Sequence, residues 1–279
     1  MSLPEEILAC PQCRGPLRGL RCGSCTEQYP TAGGVPVLMT RADRVRFQVE
    51  LDAGAGLEMV ARYRERGPQW PARLKQALRP PAPLVHNPRE PALPIQPGSR
   101  NLYLGGGGRQ APGFINVDIG PFPGVDAVAN AERLPFLDAT LDAVECDAVL
   151  EHVERPEEAV AEIRRVLKPG GQVHAVVPFC HPYHAYPSDF RRWTLAGLHG
   201  LFGEFESLDS GVRTCPTATL LAFALDYLKL WMPGRTAARA AYAAAGWLLF
   251  PLRYLDLLLL GRRDAHVLAN HIYILARKQ

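Results

Sequence analysis

LYLGGGGRQAPGFINVD, residues 102 to 118, places four glycines after a short apolar run and an aspartate ten residues beyond the last of them. It reads as strand, glycine turn, strand. Such a turn lets a ligand approach the backbone with no Cβ in the way, and a carboxylate ending the second strand can take both hydroxyls of a ribose. Gly105 and Gly107 supply the turn, and Asp118 stands where that carboxylate belongs. Only nine residues, Gly105 to Gly113, separate NLYL (101–104) from FINVD (114–118). A full crossover takes about a dozen residues, so the helix between these strands is expected to be cut to about one turn or absent. The residue matching the third glycine of a dinucleotide fingerprint is Gln110. A pyrophosphate is held at a helix N-terminus, so the missing helix counts against a dinucleotide ligand.

The same alternation continues outward. VDAVA (125–129), LDAVECDAV (141–149) and QVHAVVP (172–178) read as buried strands. PEEAVAEIRRVL (156–167) reads as a helix with proline in its first turn, an apolar stripe of Ala159, Val160, Ile163, Val166 and Leu167, and KPGG as its stop. HVLANHIYILARK (266–278) closes the chain as a final strand. Strands alternating with helices predict an α/β fold: a Rossmann-like, mostly parallel sheet of about seven strands with helices on both faces. The chain is 279 residues long and 47% hydrophobic, enough for such a core plus a small unit.

That small unit is residues 1–40, which enclose CPQC (Cys10, Cys13) and CGSC (Cys22, Cys25). Two C-x2-C pairs eight residues apart can set four thiolates around one ion, and structural zinc is the expected metal. With thiolate at every position no site stays open for a substrate. CPQCRGPL, CGSC, QYP and GGVPVL resemble the short zinc-ribbon domains that precede or partner many methyltransferases. Cys146, Cys180 and Cys215 are scattered downstream. VRFQVELDAGAGLEMVARYRER (45–66) is helix-like although Gly54 and Gly56 weaken it, and RPPAPLVHNPREPALPIQPGS (79–99) is an extended connector. The domain reading is therefore 1–40, 41–99 and 100–279. The N-terminus carries no basic segment followed by an apolar one, so a cytoplasmic location is expected.

The downstream segments ANAERLPF (129–136), LDAVECDAVLEHV and EIRRVLKPGGQVHAVVP follow the order and spacing of class I S-adenosylmethionine-dependent methyltransferases of the type 11-like group. The resemblance spans residues 101–195. It implies S-adenosylmethionine as cofactor, with Gly105 and Gly107 under its methionine part, Asp118 on the ribose, and Asn130, Ala131 and Glu132 at the adenine. By the same resemblance Leu134 packs on the adenine, and Cys146 or Asp147 borders the site by backbone. Three positions depart from the family pattern: Tyr103 replaces an acid within the first strand, Asn130 replaces an aspartate, and Arg109 replaces the turn's third glycine.

Methyl transfer needs alignment more than acid–base machinery, with a base only for a protonated acceptor. Candidates follow the strand ending at Pro178, in FCHPYHAYPSDFRRWT. There His184, His181 and Asp189 are the catalytic candidates, His184 first because histidine titrates nearest neutrality. Tyr183, Tyr186, Arg191 and Arg192 lie among or beside them. The structural alternative pairs Asp189 with Arg192 to hold the loop. His152 reads as structural or cofactor-adjacent, and metal binding by the histidines is disfavoured because no carboxylate lies at ligand spacing on a helix.

Residues 100–214 carry 16 acidic and 10 basic groups, whereas 215–279 carry three and eight. An acidic core disfavours a nucleic-acid groove, since phosphate binding needs lysine and arginine. Residues 215–261 form an apolar helical insertion whose arginines leave three readings: a span, a cap over the acceptor site, or a face lying on anionic lipid. The expected function is S-adenosylmethionine-dependent methylation of an unidentified, glycan- or lipid-linked acceptor. The competing readings are an rRNA or tRNA methyltransferase that uses the ribbon for RNA contact, and a non-catalytic zinc-ribbon scaffold.

Overall fold

A computed structural model of the chain describes residues 3–52, 80, 85–109, 111–185 and 188–279. The helix expected over 45–66 is described only to Asp52, and Gln110, Tyr186 and most of the 79–84 stretch lie outside the described residues.

The N-terminal unit is built from two antiparallel pairs of two-residue strands: β1 (Leu17–Arg18) with β2 (Arg21–Cys22), and β3 (Thr31–Ala32) with β4 (Val35–Pro36). Helix α1 (Arg41–Asp52) follows. Thr40 caps it by accepting from Asp43 N at 3.0 Å, while its hydroxyl donates to Asp43 Oδ2 at 2.6 Å.

Seven strands form the main sheet: β5 (Asn101–Leu104), β6 (Phe114–Asp118), β7 (Ala127–Val128), β8 (Leu141–Asp147), β9 (Leu167–Pro178), β10 (Glu206–Thr214) and β11 (His271–Arg277). Their order is β10-β11-β9-β8-β5-β6-β7. The run from β9 to β7 is parallel, and β11 is antiparallel to both of its neighbours. This is the expected Rossmann-like sheet. Among the described residues five helices flank or follow it: α2 (Pro156–Val166), α3 (Leu195–Leu201), α4 (Pro216–Leu230), α5 (Gly234–Leu249) and α6 (Asp256–Leu259). Among the described residues no helix separates β5 from β6, which pair directly in parallel.

Several elements differ in detail from the sequence pattern: the strand expected over 266–278 is confined to His271–Arg277, its first residues falling in a 3-10 turn, Arg263–Leu268. The strand expected over 125–129 shrinks to Ala127–Val128, because Asp126 turns its carboxylate back to accept from Asn116 N at 2.8 Å. KPGG ends α2 as expected but belongs to β9, where Gly170 N bonds Lys278 O at 2.8 Å and Lys278 N bonds Gly171 O at 2.9 Å. The polar run ESLDSGVRT, whose alternation is poor, becomes β10 because β11 offers it a partner along its whole length.

The described residues of the N-terminal unit form no separate core. Ile7, Leu8, Cys10, Leu17, Tyr29 and Leu38 pack into one hydrophobic cluster with Leu102, Leu134, Phe136 and Ile163. A segment of this size buries too little surface to fold on apolar contact alone, so sharing the larger core supplies what it lacks. Leu8 pairs with Phe136 in an antiparallel bridge, and Arg14 forks onto Glu162 of α2 at 2.7 and 2.8 Å. Arg165 clamps the same carboxylate, which is why an acid can sit buried on the apolar stripe of α2; the two guanidiniums outweigh burial and hold Glu162 below the usual carboxylate range.

Residues preceding the sheet also meet both of its edges. Val37 bridges Val128 of β7 in parallel, with Leu38 N bonded to Val128 O at 2.8 Å. At the opposite edge His86 bridges Thr214 of β10, and Asn87 bonds Arg213 O and Val212 O through its backbone N and its Nδ2.

In the C-terminal insertion, the one fully buried acid, Asp256, accepts from Thr217 N at 2.8 Å and Ala218 N at 3.0 Å. It thereby satisfies the first-turn donors of α4 from the start of α6. No described helix is long and apolar enough to cross a membrane.

Candidate functional site

The glycine turn is closed by Asp118. Its Oδ2 accepts from Gly107 N at 2.8 Å and its Oδ1 from Gly120 N at 3.2 Å. Burial raises the pKa of Asp118 from its ordinary value, against the lowering effect of these backbone donors. The carboxylate keeps lone-pair capacity for a further donor. Gly105 and Gly107 have φ of +71° and +55°. A Cβ on Gly105 would lie 2.2 Å from Val149 Cγ2, and one on Gly106 would lie 2.4 Å from Asn116 Oδ1. The turn therefore needs glycine for conformation at Gly105 and Gly107 and for space at Gly105 and Gly106.

Over this turn opens a cavity of about 240 Å³. It sits beyond the carboxyl ends of β5, β6, β7 and β8, where open parallel sheets hold their ligands. Of the residues the sequence nominated for a cofactor, Gly105, Gly107, Asp118, Asn130, Ala131 and Glu132 line it. Leu134, Cys146 and Asp147 do not. Leu134 and Cys146 are fully buried in the core, and Asp147 faces Arg109 (3.1 Å) and Arg213 (3.2 Å). Arg109, standing at the family's third glycine, also donates to Tyr103 Oη at 3.0 Å. Two of the three positions that depart from the resemblance's pattern thus meet each other.

Asn130 and Glu132 carry structural work as well. Asn130 Oδ1 accepts from Glu132 N, and its Nδ2 donates to Asp43 Oδ1, both at 3.0 Å. Glu132 binds Arg155 through N at 3.0 Å and Nη2 at 2.6 Å. Met39 of the N-terminal unit and Asp43 and Arg46 of α1 behind it reach the cavity, which no motif in the sequence signalled. Phe122, Ser188 and Phe190 also line it. A turn that only glycine fits, a buried carboxylate with spare lone pairs and a largely apolar wall fit a nucleoside with a small charged tail.

The loop after β9 gathers histidines. His184 N donates to Asp189 Oδ2 at 2.8 Å, and Arg192 forks onto both oxygens of Asp189. Arg192 holds Asp189 down at about 2. Asp189, almost wholly buried, is therefore spent on anchoring the loop. His181 donates from Nδ1 to Pro182 O at 2.8 Å and burial lowers its pKa, while its ring lies 4.5 Å from that of His184. Only His152 among these histidines borders the cavity. The Glu151 carboxylate, at 3.5 Å, raises His184 above the ordinary histidine value. Glu151 was absent from the sequence candidates, although it stands beside His152 in LEHV; its approach to His184 comes from the fold.

The four paired cysteines converge, with all four sulfurs within 4.8 Å of one another. Cys10 Sγ and Cys25 Sγ are 3.6 Å apart, Cys13 Sγ and Cys22 Sγ 3.5 Å. Tetrahedral thiolates about 2.3 Å from an ion stand about 3.8 Å apart, so the donor set fits zinc with a small adjustment. Ser24 N and Cys25 N point at Cys22 Sγ, and the Tyr29 hydroxyl lies 2.9 Å from Cys10 Sγ. These donors suit sulfurs carrying negative charge.

Residues 117–175 match a family model described as a methyltransferase domain. A demethylmenaquinone methyltransferase of Renibacterium salmoninarum is 41% identical over 71 residues, covering 25% of this chain and 30% of the relative. A 2-phytyl-1,4-naphtoquinone methyltransferase of Synechocystis is 38% identical over 69 residues, 25% of this chain and 29% of the relative. The chain thus spans less than a third of either relative. A solved phosphoethanolamine N-methyltransferase 2 of Haemonchus contortus, in complex with S-adenosyl-L-methionine, aligns at TM-score 0.43 and 17% identity over 66% of this chain and 50% of that one.

Proposed function

We propose that this chain, whose residues 117–175 carry a methyltransferase domain, is an S-adenosylmethionine-dependent methyltransferase acting on a lipid-soluble acceptor, with a structural zinc ion in its N-terminal unit. The observation that carries the reading is Asp118, buried beneath a glycine-only turn and still able to accept hydrogen bonds from a ribose. S-adenosylmethionine, when bound, supplies a methyl group already activated on a sulfonium. The chain's own task is then to bind, align and exclude water. Asp118 offers lone pairs to the ribose hydroxyls, the Gly105–Gly107 backbone admits the ligand closely, and Ile119 and Phe122 provide an apolar wall. His152, in the turn after β8, is the histidine that borders the cavity, and His181 and His184 of the loop after β9 stand behind it.

Two observations support a lipid-soluble acceptor. The relatives bear the names of quinone methyltransferases. The insertion exposes Leu220, Phe223, Leu230, Trp231, Leu248 and Leu258, with Arg235 and Arg239 also exposed. Such a face suits contact with an anionic lipid surface, from which an apolar acceptor is drawn. Zinc held by Cys10, Cys13, Cys22 and Cys25 has no open position and serves folding alone.

Calorimetry of the full chain with S-adenosylmethionine tests the reading. One binding site is expected, weakened about 10- to 100-fold in Asp118→Ala, the loss of a charge-assisted hydrogen-bond acceptor. An absence of heat with the parent chain overturns it. Tritiated methyl transfer into fractionated lipid, RNA and protein tests the acceptor, and label confined to RNA or protein overturns the lipid assignment.

A further inference from the structure

Behind His152 lies a group of side chains that the methyl-transfer reading leaves unused. Glu151 is completely buried, and neither of its carboxylate oxygens has a hydrogen-bond partner. A buried, uncompensated carboxylate is costly, and native proteins pair it or use it to hold a cation. The Arg192 guanidinium is forked onto Asp189, so the groups that face Glu151 Oε1 as partners are two imidazoles.

Two imidazoles face this carboxylate through the same nitrogen. His152 Nε2 lies 3.7 Å and His184 Nε2 3.5 Å from Glu151 Oε1. On the far side of its ring, His152 Nδ1 lies 2.5 Å from Ser188 O; a carbonyl only accepts, so Nδ1 carries the proton and Nε2 of the neutral ring presents a lone pair. His184 Nδ1 likewise faces Pro182 O at 3.3 Å. A backbone carbonyl that fixes the tautomer from behind is the usual support of a metal-ligating histidine.

We infer that Glu151, His152 and His184 form a second metal site, taking a first-row divalent cation such as Mn2+ through one carboxylate and two Nε2 atoms. The three ligand atoms all lie within 4.8 Å of one another. Ligand atoms about 2.1 Å from an ion in adjacent positions are about 3 Å apart, so the observed 3.5 and 3.7 Å need only a small contraction. Two imidazoles and one carboxylate on one face leave the opposite face open, a set that suits Mn2+ and Fe2+ better than the closed thiolate set of the N-terminal unit does. Motif spacing missed this site because the carboxylate and one histidine are neighbours in a short 3-10 turn, Leu150–His152, and the second histidine comes from another loop. His152 borders the cavity, and the His184 side chain is one-third exposed, which gives an ion a path in. That the open face serves an oxygen-bearing acceptor rests on the methyl-transfer reading; the site itself does not.

The test is a Mn2+ titration of the full, zinc-loaded chain, read by loss of the six-line electron paramagnetic resonance signal of free Mn2+ in the absence of cofactor. Zinc keeps the thiolates occupied, and thiolates are poor Mn2+ ligands. One Mn2+ per chain is expected, with affinity reduced at least about tenfold in His184→Asn and in Glu151→Gln. His184→Asn changes a part-exposed loop residue and is the variant on which the result is judged. No Mn2+ uptake by the parent chain, or uptake unchanged in His184→Asn, overturns the site, whatever the calorimetry with S-adenosylmethionine returns.

Discussion

Asn130 Nδ2 donates to Asp43 Oδ1 at 3.0 Å, joining the loop after β7 to the first turn of α1. Through this bond, and through Met39 and Arg46 on either side of it, the N-terminal unit and the helix α1 that continues it form part of the cavity wall. Metal in that unit and ligand in the cavity are therefore expected to depend on each other.

Removing zinc should loosen the cofactor site without touching it. Cys22→Ser, or chelation of the purified chain, is expected to weaken S-adenosylmethionine binding several-fold, and Asn130→Ala to reproduce part of the loss by deleting both a cap of about 1 kcal/mol and the Asp43 bond. Calorimetry on metal-replete and metal-free protein measures this. Equal affinity in the two forms would show that the units are independent.

Gly105→Ala should be severely destabilising for two separable reasons, the 2.2 Å approach to Val149 Cγ2 and a φ of +71°. Adding Val149→Ala removes the first and leaves the second, about 1–2 kcal/mol. Urea unfolding of both variants is expected to show partial rescue. A double variant no more stable than Gly105→Ala would place the whole cost in the backbone.

Stability should decline as pH rises above neutrality because of His174. Its imidazole is buried; burial alone would lower its pKa, but Glu145 Oε1 at 2.8 Å and Glu90 Oε1 at 3.0 Å outweigh that and lift it to about 9. The folded value lies above the unfolded one of about 6.5, so the stabilisation is complete below pH 6.5 and is lost as pH climbs through 9. The amount is on the order of 3 kcal/mol. Urea midpoints between pH 6 and 9.5 should fall accordingly, with a shallower fall in Glu90→Gln.

The exposed insertion face should bind membranes. The full chain is expected to sediment with phosphatidylglycerol vesicles and less with phosphatidylcholine, and Trp231→Ser with Leu258→Ser to weaken sedimentation about tenfold or more. Equal recovery of parent and variant in the supernatant would remove this face from the account of the acceptor.

Most of the parallel sheet was legible because β5, β6, β8 and β9 are apolar runs bounded by turn residues, and the stripe on α2 has helical period. Asp118 was legible for the same reason, since it ends a strand just after a glycine turn. β10 was not, because an edge strand need bury only part of its length and ESLDSGVRT shows no alternation to read. Leu134 was expected to pack on the adenine, but its side chain is fully buried and does not line the cavity, whose wall there includes Ala131 and Ala148. Asp43, Arg46 and Glu151 could not be found from local pattern. Asp43 and Arg46 reach the cavity through the docking of the N-terminal unit, and Glu151 meets His184 only when separate loops fold together.

The bridges Val37–Val128 and His86–Thr214 put residues that precede the sheet along both of its outer strands. An uncovered strand presents a row of unused amides and carbonyls to any other chain. A polypeptide beginning at Ser99, where the sequence marks a boundary, would therefore bare β7 and β10 together and is expected to self-associate through them. The short stretches around Val37 and His86 act as a protective hem on the sheet, and expression trials that trim them will select for aggregates.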